Sequence, residues 1–70
     1  MELRHKLEEE IRFLISSGIT LREFLEEVEK IAITEALKLS RGRLNRAAEI
    51  LGIHRNTLSQ KIRKYKIKRK

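Results

Sequence analysis

The chain has no cysteine, no proline and no tryptophan, and its ten acidic residues are all glutamate. Without cysteine there is no disulfide, no thiolate metal site and no thiol nucleophile, and a reducing, intracellular setting is expected. His5 and His54 are the only imidazoles. Neither stands beside a nucleophile or a second ligand, so no metal or other cofactor is expected. The missing aspartate, together with the lack of a glycine-rich phosphate loop, leaves no catalytic constellation, and an enzyme is not expected. Glu8-Glu9-Glu10 reads as a solvated helix face rather than a carboxylate cluster. No apolar run approaches the roughly 18 residues of a membrane span, and Met1 to Glu10 is too charged for a secretory signal. A soluble protein of the cytoplasm, without a membrane partner, is the expectation.

What the chain does have is charge, unevenly placed. Residues 1–35 carry 5 Lys and Arg against 9 Glu, and residues 36–70 carry 12 against one, so the halves stand near −4 and +11 within a net charge of +7. A basic block joined to an acidic helical block suits a protein whose first part assembles and whose second part meets a polyanion. A chain of 70 residues buries too little apolar surface to be comfortably stable alone. With no staple available, a partner subunit is expected.

The three glycines, Gly18, Gly42 and Gly52, fall between periodic segments and divide the chain into four helices. Leu3, Leu7, Ile11, Leu14 and Ile15 recur at helical spacing, predicting a first amphipathic helix that ends near Ser17. Thr20 followed by Glu23 is a capping box and starts the second helix. There Leu21, Leu25, Val28, Ala32, Ala36 and Leu39 form a stripe that Phe24, Ile31, Ile33 and Leu37 widen until the last half is apolar nearly all round. Such a helix must be covered by more than one neighbour. Asn45 is placed to cap a short third helix reaching about Leu51, and Gly52 turns the chain into a fourth from about Arg55 to Tyr65. Ala47, Ala48 and Leu51, then Ile53, then Leu58 and Ile62 would pack these two helices across each other, the alanines allowing close approach. This is the pattern of a helix-turn-helix, and the whole is all-α.

With Leu58, Ile62 and Tyr65 facing inward, Tyr65 as a core lid, the outward residues of the fourth helix are Asn56, Ser59, Gln60 and Arg63, with Arg55 and Thr57 in its first turn. The N-terminal part of such a helix reaches base edges in the major groove of DNA. Arg pairs bidentately with guanine, and Asn or Gln with adenine. Arg55, Asn56, Ser59 and Gln60 are therefore the expected base contacts. Phosphate contacts are expected from Arg43, Asn45, Arg46, His54, Thr57, Lys61, Arg63 and Lys64. At His54 a helix cap and a backbone contact are both compatible with the sequence. Lys66 to Lys70 form a basic tail suited to salt-sensitive, unselective attraction.

The stretch from Gly42 to Tyr65, through Arg46-Ala47-Ala48, Leu51-Gly52-Ile53 and Arg55-Asn56-Thr57-Leu58, resembles the helix-turn-helix of the Fis family. The same module forms the C-terminal DNA-binding domain of NtrC-type bacterial enhancer-binding activators. The resemblance implies a single domain over 1–70: dimerisation helices over 1–40, the helix-turn-helix over 41–65, and the tail over 66–70. It also implies a homodimer binding double-stranded DNA in bacterial transcription regulation, at the nucleoid, with bending of the duplex. Leu7, Ile11, Leu14, Phe24, Val28 and Ile31 are then the expected dimer interface. The domain would belong either to an NtrC-type activator, with an ATPase domain in a longer parent chain, or to a stand-alone Fis-like regulator. The alternative is an architectural DNA-bending protein with little sequence preference. Ser59 and Gln60 depart from the basic residues that Fis-type proteins often carry there, so the base preference of relatives does not transfer.

Overall fold

Helical periodicity along the chain is realised in full. A computed structural model describes residues 2 to 68. Among them there are four helices and no strand: α1 (Glu2–Ser16), α2 (Leu21–Leu39), α3 (Leu44–Leu51) and α4 (Arg55–Tyr65). None is long and apolar enough to cross a membrane.

Each boundary has a local cause. Helix α1 ends on Gly18, left-handed at φ +84°, with Ile19 N–H donating to the Leu14 carbonyl at 3.3 Å, the usual closure of a helix by glycine. The expected capping box opens α2: Glu23 N–H donates to Thr20 Oγ1 at 3.1 Å, and Thr20 N–H donates to Glu23 Oε1 at 3.0 Å. The Thr20 N–H, then the Thr20 hydroxyl, holds the Glu23 carboxyl below its ordinary pKa. The start of α3 differs from expectation. Its cap is Arg43, in extended backbone and without a side-chain hydrogen bond, and Asn45 lies inside the first turn. The sharp geometry entering α3 from Ser40, with Arg41 and Gly42 both at positive φ, sets the helix start two residues earlier than the side-chain preference of Asn45 suggests.

Gly52 closes α3 at φ +69°, and a Cβ there would meet nothing within 4 Å. The position needs glycine for its left-handed backbone, not for space. Ile53 N–H then donates to the Ala48 carbonyl at 3.1 Å, which folds the turn back and lays Ile53 against the core. Lys66 does the same job after α4 at φ +54°. Ile67 N–H reaches the Ile62 carbonyl at 3.0 Å, and the Ile67 side chain is partly buried on the core. Lys66 and Ile67 thus belong to the end of α4 rather than to a free tail. Lys68 is exposed, and Arg69 and Lys70, the rest of the expected tail, lie outside the described residues.

The core is Ile33, Ala36 and Leu37 of α2, Ala47 and Ala48 of α3, and Leu58 and Ile62 of α4. Ala47 and Leu58 are wholly buried, and the two alanines let α3 sit close to both neighbours. Helix α1 buries no residue at all. The radius of gyration is 13.6 Å, against about 11 Å for a compact chain of this length. The exposed surface is 6107 Å² at 8.3 kDa, whereas a folded monomer of that mass exposes about 4,600 Å². Several large apolar residues are exposed, among them Phe13, Ile15, Leu21, Leu25, Val28, Ile31 and Leu39.

Candidate nucleic-acid interface

Helix α4 is pinned along one side by Leu58 and Ile62, with Tyr65 half-buried in the same register. That anchoring leaves Arg55, Asn56, Gln60, Arg63 and Lys64 exposed, and Ser59 and Thr57 half-buried along the edges. The four expected base contacts therefore share the solvent side of the first two turns, with Ser59 the most recessed. His54 caps the helix. Its Nδ1 accepts from Asn56 N–H at 3.1 Å, so the ring's remaining donor is Nε2–H. The cap and a phosphate contact thus use different nitrogens, and one does not exclude the other.

Arg43, Asn45 and Arg46 are exposed at the start of α3, where helix N–H groups also attract anions. Arg46 pairs with Glu49 at 3.1 Å, but both side chains are well exposed. Such a surface pair contributes roughly 0–1 kcal/mol, little enough for a phosphate to displace it. The Lys64 ammonium lies 5.2 Å from the centroid of the Tyr65 ring, within cation–π range.

Lys61 is placed differently from the other expected phosphate contacts. Its ammonium donates to Glu29 Oε2 of α2 at 2.7 Å, with both side chains half-buried. The Tyr65 hydroxyl donates to the other oxygen of the same carboxylate. Sequence reading passed over Glu29. The available signal was its register: residues 29, 33 and 36 share the face of α2 that meets the basic half. The Lys61 ammonium, and then the Tyr65 hydroxyl, hold the Glu29 carboxyl below its ordinary value of 4.5. Its contribution to stability is present above that value and lost as pH falls through the lowered one.

The same contact pushes the Tyr65 phenol up to about 12, chiefly because Glu29 accepts its proton in a hydrogen bond. Tyr65 is the single tyrosine, so its ionisation can be followed alone. Phenolate absorbance is expected to rise near pH 12 rather than at the ordinary 10.0. Because the unfolded chain ionises first, stability is expected to fall across that interval. A phenolate transition at the ordinary value would refute the Glu29–Tyr65 contact.

Leu7, Val28 and Ile31 are exposed, and Ile11, Leu14 and Phe24 are only partly covered. Leu14, Ile19, Phe24, Val28 and Ile31 line a groove of about 370 Å³ between α1 and α2, with Glu23 and Glu27 at its rim. All six expected interface residues thus lie on the part of the molecule that the core does not bury.

The family model described as bacterial regulatory protein, Fis family, matches residues 24–65, more than half of the chain. A signal-transduction and transcriptional-control protein of Clostridium beijerinckii is 50% identical over 44 residues, 63% of this chain and 7% of that protein. No solved structure matches. The family match spans α3, the Gly52 turn and α4 together with most of α2, the elements that form the core and present the basic surface, and the chain belongs to the Fis family of bacterial regulatory proteins, DNA-binding helix-turn-helix modules of transcription regulation.

Proposed function

We propose that the chain binds double-stranded DNA selectively as a homodimer, each α4 entering a major groove and the duplex bending to meet both. The observation that carries the DNA reading is the solvent face of α4, where Arg55, Asn56 and Gln60 stand exposed on a helix held from behind by wholly buried Leu58. Arg55, Asn56, Ser59 and Gln60 read bases. Arg43, Asn45, Arg46, His54, Thr57, Arg63 and Lys64 hold the backbone. Two-fold assembly is supported by the surplus of exposed surface, which at about 1,500 Å² exceeds the roughly 800 Å² per partner of a standard interface. Leu7, Ile11, Leu14, Phe24, Val28 and Ile31 form its centre.

The match to a small part of a large transcriptional-control protein supports a tethering role, in which this module holds a longer regulator at its DNA site. An NtrC-type activator with an ATPase domain and a stand-alone Fis-like regulator both fit, and an ATPase segment in the parent chain distinguishes them.

Selection from a random duplex library at about 0.15 M salt tests selectivity, since unselective electrostatic binding is weakened there. A two-fold symmetric motif is expected. Binding without enrichment would instead establish the architectural reading. On the enriched duplex, Arg55→Ala is expected to lose about 1–3 kcal/mol and to relax preference at one position, whereas Lys64→Ala weakens all sequences alike. Equal losses on all sequences from both variants would remove Arg55 from the base-reading set.

A further inference from the structure

Thr57, Lys61 and Lys64 follow one another at the spacing that places residues in a single row along a helix flank. The outer two are phosphate-contact candidates. The middle one is turned away: its ammonium is held at 2.7 Å by Glu29, whose second oxygen is occupied by the Tyr65 hydroxyl. A lysine is a mobile point charge that gives any phosphate the same attraction whatever the base sequence. A cation in that row adds affinity for all DNA equally, tightening operator and random sequence by the same factor and steepening the salt dependence of both. Glu29 removes that cation from the row, and its own negative charge stands close to the same flank.

Building on the DNA-binding reading above, we infer that Glu29 is a positioning residue that limits sequence-independent affinity, keeping Lys61 off the DNA backbone by holding it and Tyr65 against α2. The overall strength and salt sensitivity of binding rest in part on a phosphate contact that is withheld. The glutamate is suited to this because Lys61 and Tyr65 satisfy it from two sides. The Tyr65 bond holds the carboxylate in place, and its ionisation is favoured by both donors.

The test compares the full chain with Glu29→Gln, Lys61→Met and the double variant, titrating a random-sequence duplex and the selected operator over a salt series. Glutamine keeps the size of the side chain and an acceptor for Tyr65 while removing the charge that holds Lys61. In Glu29→Gln the random duplex is expected to bind more tightly, with a salt dependence steeper by about 1.8 in log–log slope, the signature of one added phosphate contact from each of two protomers. The operator gains by the same factor, so the operator-to-random ratio holds. The double variant returns to the slope of the unaltered chain. Lys61→Met alone is expected to leave that slope unchanged, and this arm does not depend on how well the Glu29 variants fold. A shallower slope in Lys61→Met would mean that Lys61 already contacts phosphate and would overturn the inference, as would an unchanged slope in a folded Glu29→Gln. If the unaltered chain bound neither duplex, the DNA-binding reading itself would fall, a result separable from both.

Discussion

Leu58→Ala is expected to cost this chain most of its stability. Leu58 is the largest wholly buried side chain, and it sits where α2, α3 and α4 meet. Truncating a buried leucine removes its transfer free energy and leaves a cavity, together about 2–5 kcal/mol. Domains are stable by roughly 0.05–0.15 kcal/mol per residue, or about 4–10 kcal/mol at this length. A core of seven small and medium apolar residues has little else to fall back on. At about 4–8 °C per kcal/mol for a domain of this size, the melting temperature should drop by about 10 °C or more, measurable by far-ultraviolet circular dichroism. Gln60→Ala, on the exposed side of the same helix, is expected to melt within a few degrees of the unaltered chain while weakening DNA binding. A Leu58→Ala protein melting like the parent would mean that the helix-turn-helix is not organised around that side chain.

The second large effect is expected from a charge on the face that α1 and α2 leave open. Val28 lies in the groove with Leu14, Phe24 and Ile31, and Glu23 and Glu27 already stand at the rim. Val28→Glu would add a third carboxylate to an apolar surface that, in the proposed dimer, has no water with which to solvate it. Sedimentation should report a monomer. Operator affinity should fall by about 10²–10⁴, the advantage conferred by joining two half-sites, and the salt-dependence slope should fall to about half, since each protomer contributes half of the phosphate contacts. The concentration dependence of melting, expected of an assembling protein, should disappear. A Val28→Glu protein that remained dimeric with its DNA affinity intact would show that the interface lies elsewhere. Ile31→Glu provides a second variant on the same face.

Much of this molecule is legible residue by residue. The capping box of Thr20 and Glu23, the left-handed Gly52, and the inward register of Ala47, Ala48, Leu58 and Ile62 are signals carried over three to seven positions, and each is realised as read. The breadth of the apolar surface on α2 also has a local signature. Its division does not: Ile33, Ala36 and Leu37 are buried while Leu25, Val28, Ile31 and Leu39 stay exposed, because α3 and α4 cover one side and none of the described residues covers these four on the other. Asn45 shows the limit of residue preference. It is a good cap, yet the path from Ser40 through two left-handed residues places the cap at Arg43.

By itself the sequence determined the number of helices and, apart from the start of α3, their extent, the turn between α3 and α4, and which side chains of α4 face out, because periodicity, capping and glycine conformation act between near neighbours. Tertiary structure alone decided that Lys61 and Tyr65 would share the carboxylate of Glu29, and that Ile67 would close the end of α4 against the core. The Glu29 contacts join residues 32 and 36 positions apart. No helical period spans that distance, and only the packing of α2 against α4 brings those charges together.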